Sequence, residues 1–181
     1  GLHGSIFAIG AILLQCDNDY THPFVAGEFF DVAAPTIEID DWVKAHVIPK
    51  LVEKVGKPMH TWKSGRSLLW QFSKFYKEAM HKNAEVVVFC PYPYEAGLFR
   101  DLFKLDLIDE REHPCPMYDL ATLLHYEGCK DPASVEANYE SITGKKYDNK
   151  RAHDPMYDAE CQLDMYRVLM ASRSWFAKKP I

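Results

Sequence analysis

At 181 residues the chain has the length of one domain, enough to bury a core of its own. Hydrophobic residues make up 48% and charged residues 26%, a globular balance, and no apolar run nears the ~20 residues that span a bilayer. The net charge of −5 argues against a nonspecific electrostatic clamp on nucleic acid, though not against an acidic site neutralised by divalent cations. Gly1-Leu2-His3-Gly4 has no basic region ahead of its apolar run and does not read as a signal peptide. Five cysteines (Cys16, Cys90, Cys115, Cys129, Cys161) are scattered without a Cys-x-x-Cys spacing. The expectation is a reduced, cytoplasmic protein with no structural zinc and no membrane attachment.

Residues 5–14 are almost continuously apolar and read as a strand buried on both faces. Asp17-Asn18-Asp19 makes a turn, and Gly27 to Val32 returns as a hairpin partner. Asp40 suits the cap of a helix beginning Asp41-Trp42-Val43, which should kink or split near Pro49 and end around Gly56. Ser67 to Met80 carries Leu68, Leu69, Phe72, Phe75 and Tyr76 at helical spacing, and Trp70 reads as core. Residues 85–90 form a short buried strand stopped by Pro91 and Pro93. Helices are expected over Ala96 to Phe103, Met117 to Tyr126, Val135 to Ile142 and Asp158 to Ser172. A strand hairpin followed by helices alternating with strands predicts one α/β domain, residues 1–181, with a mixed sheet.

The most specific stretch is Arg151-Ala152-His153-Asp154-Pro155-Met156-Tyr157-Asp158-Ala159. It holds an imidazole on a loop above a carboxylate expected to open a helix. Such a pair suits metal-assisted hydrolysis, with the acid holding a cation and His153 taking a proton from water. Glu95, directly after a buried strand, opens another expected helix and is the second candidate acid, since a helix N-terminus favours an ionised carboxylate. Each has an ordinary structural reading alone: Glu95 as a first-turn charge, Asp158 as a cap, His153 as a solvated loop residue. Lys145, Lys146, Lys150 and Arg151 form a basic run that is either a phosphate track or a solvated face. Tyr92 and Tyr94 flank Glu95 closely enough to stack on a base.

The segment from His153 to Ala159 resembles the third motif of the DEDD-type 3′–5′ exonucleases, histidine subtype, in the ribonuclease H-like superfamily. Phe89-Cys90-Pro91-Tyr92-Pro93-Tyr94-Glu95-Ala96 resembles the second motif, with Glu95 where most of the family has Asp. Residues 1–11 resemble the stretch after the first motif, and Pro116-Met117-Tyr118-Asp119-Leu120 the helix start between motifs two and three. The resemblance implies a ribonuclease H-like mixed sheet flanked by helices, and release of nucleoside 5′-monophosphates from a free 3′ end of nucleic acid. It implies two Mg²⁺ or Mn²⁺ ions ~3.5–4 Å apart, His153 as the base, Asp158 and Glu95 as metal ligands, and Leu2 and His3 against the terminal nucleotide. The family's first motif, Asp-x-Glu on the first central strand, is not in the sequence. Three explanations stay open: native residues ahead of Gly1, a catalytically inactive module that binds nucleic acid or a partner, or substitution by other acids such as Asp31 or Asp40.

Overall fold

A computed structural model describes residues 6–15, 24–36, 38–89 and 94–177. Within them the architecture is α/β, with seven α-helices, a 3₁₀ turn and two two-stranded ladders. Ala8–Gln15 (β1) and Phe24–Val32 (β2) form the expected antiparallel hairpin. Its register runs from Ala8 opposite Val32 to Gln15 opposite Phe24, with a bulge at Leu13/Leu14. Val86–Val88 (β3) pairs in parallel with Met117–Asp119 (β4). Among the described residues no strand pairing joins the two ladders.

The hairpin is less enclosed than its composition predicts. Only Ile9 in β1 is fully buried, because a two-stranded ladder offers little sheet to cover it. Side chains alternate as a pleat requires. Ile9, Ala11 and Phe29 meet Gly65–His81 (α3) and its cluster of Leu68, Leu69, Phe72 and Tyr76. Ala8, Phe30 and Val32 face the other way, against Ile48–Val55 (α2) and Trp62. β3 is covered on both faces: Val86 and Val88 pack with α3 and Tyr94–Lys104 (α4), Val87 and Phe89 with the later helices.

Local rules explain most boundaries. Asp40 accepts from the Trp42 N–H at 2.8 Å and caps Asp41–His46 (α1). Pro49 lies in the first turn of α2, where its missing N–H costs nothing, and Gly56 ends that helix at φ 68°. α3 turns its apolar stripe inward, but Trp70 points out, 44% exposed under Lys74 Nζ at 3.3 Å from the ring centroid. The core reading of Trp70 is therefore corrected: it lies off the Leu68/Leu69/Phe72/Tyr76 face, and a cation covers it instead.

The single helix expected over Met117 to Tyr126 is also corrected, to β4 followed by Leu120–Tyr126 (α5). Three residues are too few to display a period of two. Asp119 ends the strand and caps the helix, accepting from the N–H groups of Ala121 (3.0 Å) and Thr122 (3.1 Å). Asp119→Ala should cost about 1 kcal/mol and lower the melting temperature by about 2–4 °C, with Asp119→Ser recovering most of it in thermal unfolding. Val135–Thr143 (α6) and Pro155–Ala177 (α7) complete the chain order. No helix among the described residues is long and apolar enough to cross a membrane.

Candidate functional site

The site is built on the start of α7. Asp154 accepts from the Met156 N–H at 2.9 Å, and Pro155 takes the first helical position. Asp154, not Asp158, therefore opens the helix. The helix begins at Pro155, ahead of the expected start at Asp158, because a proline is tolerated inside the first turn. Asp158 sits in that turn, its N–H bonded to the Asp154 carbonyl at 2.9 Å.

His153 precedes the cap with φ 66°, a left-handed conformation that costs a side-chain-bearing residue on the order of 1 kcal/mol. The reversal turns its backbone N–H onto the Asp158 carboxylate. The loop is also held from outside. Lys50 Nζ donates to the Ala152 carbonyl at 2.5 Å, and Lys54 Nζ reaches both Asp154 oxygens at 2.5 and 2.7 Å. The His153 ring meets Trp42 edge to face, centroids 5.0 Å apart at 83°, and Trp42 stacks on His46 at 4.9 Å.

These surroundings shift both titrating groups. Burial pushes Asp158 up from 3.8 to about 6, helped by the Asp154 charge and opposed by the His153 N–H and Lys50. Burial against its neighbours lowers His153, as do Lys50 and His46, while Glu136 works the other way. A lowered imidazole is more fully in the free-base form at neutral pH, as a proton acceptor requires.

The structure thus brings His153 and Asp158 together. Glu95 lies in the first turn of α4 as expected, with its Oε2 shut off from solvent. Arg151 folds back over the Tyr157 ring at 4.2 Å and pairs with Glu160 at 3.0 Å. A phosphate there would have to displace Glu160. Lys145 likewise pairs with Asp164 at 2.6 Å. Leu2, His3, Tyr92 and the side chain of Tyr94 lie outside the described residues.

Asp31 accepts from the Val32 N–H at 2.9 Å and pairs with Lys63 at 2.5 Å, and Asp40 caps α1. Both carboxylates have structural work, which speaks against their standing in for a missing motif. Among the described residues no group of three or more His, Cys, Asp or Glu side chains could hold a metal ion. Asp158 and Glu95 therefore do not by themselves fit the implied two-ion site; that chemistry would need further carboxylates.

The sequence carries little trace of the roles of Trp42, His46, Lys50 and Lys54. They lie about a hundred positions upstream of the loop they touch, and the only hint was a tryptophan just after a helix cap. No protein-family model matches the chain, and no curated protein matches it at a significant level. The fold and the site together define an α/β protein with a histidine–carboxylate pair at a helix start.

Proposed function

We propose that this chain is a ribonuclease H-like domain of a divalent-metal-dependent 3′–5′ exonuclease of the DEDD histidine subtype, releasing nucleoside 5′-monophosphates from nucleic acid. The observation that carries the reading is the His153–Asp158 arrangement: a strained loop turns the histidine N–H onto a carboxylate in the first turn of α7. Strain of this kind persists where surrounding contacts over-determine it, and such sites are enriched in function. The order of an antiparallel hairpin, helices and a parallel strand pair is compatible with the sheet this family uses.

In this reading His153 takes the proton of the attacking water, and its lowered affinity for protons keeps the ring free at neutral pH. Asp158 orients the loop through the His153 N–H and is the proposed ligand of Mg²⁺ or Mn²⁺, with Glu95 the second candidate. Arg151 is a phosphate contact once Glu160 yields.

The test is product analysis with a 5′-labelled single-stranded oligonucleotide, Mg²⁺ or Mn²⁺, and the full natural protein. Stepwise shortening from the 3′ end is expected, abolished by chelator and reduced about 10²–10⁴-fold by His153→Ala. Tight binding of an oligonucleotide that stays intact would overturn the exonuclease in favour of a non-catalytic binding module.

A further inference from the structure

Three contacts from α1 and α2 converge on the loop carrying His153, one of them spanning 102 positions of sequence. Trp42 is the unusual member. It is 48% exposed on a helix with no buried residue, so its indole adds nothing to the core. Its ring is nonetheless fixed on two sides, by stacking on His46 and by the perpendicular contact with His153. His46 Nδ1 lies 2.9 Å from the Trp42 carbonyl, which ties that stack to the helix backbone.

We propose that α1 and α2 form a brace for the catalytic base, in which Trp42 and Lys50 are positioning residues that set the orientation of the His153 ring. The inference rests on His153 being that base. A histidine on an exposed loop has two free side-chain torsions, and a base must face its proton within hydrogen-bonding reach. Lys50 removes the freedom of the backbone by holding the Ala152 carbonyl, and Lys54 does the same at Asp154. Trp42 removes the freedom of the ring, since 5.0 Å and 83° match the favoured edge-to-face geometry. α1 has six residues, too few to stand alone, so it takes its position from α2, which is anchored by the buried Leu51.

The test uses the full natural protein with Trp42→Ala, Trp42→Phe, Lys50→Met and Lys50→Arg. By NMR, the ring protons of His153 should show cross-relaxation with the Trp42 indole and a ring-current displacement, both lost in Trp42→Ala. Trp42→Ala and Lys50→Met should each lower kcat by up to about 10²-fold, the penalty typical of a misplaced group, with KM unchanged. Trp42→Phe and Lys50→Arg should recover most of the loss. Unchanged kcat in Trp42→Ala, or a fall in kcat that Trp42→Phe fails to recover while the His153 signals stay as in the wild type, would overturn the brace. Should the wild type show no hydrolysis, the exonuclease reading fails by itself. The brace then stands or falls on whether the indole–imidazole signals are present and vanish in Trp42→Ala.

Discussion

Replacing Asp158 with asparagine should raise the melting temperature at pH 7.5 by about 4–8 °C, and leave it unchanged near pH 4. The carboxyl titrates at about 6 in the folded protein against 3.8 ordinarily, chiefly because it is buried. Between those values the folded state keeps a proton that the unfolded chain has released. The favourable contribution of the neutral acid is complete below pH 3.8 and is lost as pH rises through 6. Above that, the ionised group costs on the order of 2 kcal/mol once solvent screening is allowed for. Asparagine keeps the acceptor for the His153 N–H and carries no charge, so it escapes the penalty. Thermal unfolding followed by circular dichroism between pH 4 and 8 checks this. A difference independent of pH, or a variant less stable throughout, would mean that Asp158 is not held uncomfortably in its charged form. The gain in stability should coincide with loss of any hydrolytic activity, as expected where a charge is kept for function against the interests of the fold.

Gly10→Ala should be among the most damaging small substitutions in the molecule. A Cβ at Gly10 would overlap the Pro155 carbonyl and lie 2.8 Å from the Met156 nitrogen. Those atoms are the backbone of the first turn of α7, so the added methyl has no flexible neighbour to displace. The helix start must move off β1 at a cost of about 2–3 kcal/mol, or about 4–12 °C in melting temperature. The shift should also perturb the amide resonances of His153 and Asp158, which ride on that turn. Gly27→Ala is the matched control, because a Cβ there meets only side chains at ordinary contact distance, the Phe75 ring at 3.4 Å and Leu13 at 3.8 Å. Equal effects at the two glycines would contradict the close approach of strand and helix.

Several boundaries were legible in the sequence because neighbouring residues decide them. Asp40 caps α1, Pro49 separates α1 from α2, and Gly56 ends α2, each through a contact no more than a turn away. The hairpin was legible through its apolar runs, although its burial was overstated. β4 was not, since its three residues are held by pairing with β3 rather than by a pattern of their own. Trp70 misled because hydrophobicity alone does not say which side of a helix a residue occupies.

The candidate site divides in the same way. His153, Asp154 and Asp158 fall within six consecutive positions, and one capped helical turn is enough to bring the first and last together. That much the sequence by itself determined, because capping and helical hydrogen bonds act over a few residues. Which groups surround the pair was decided by tertiary structure alone. α2 packs on the Phe30 and Val32 face of the hairpin, the face on which Gly10 admits the start of α7, so Lys50, Lys54 and Trp42 arrive at a loop far away in sequence. Burial of apolar surface drives that packing, and it is indifferent to sequence separation; the partners it delivers leave no local trace.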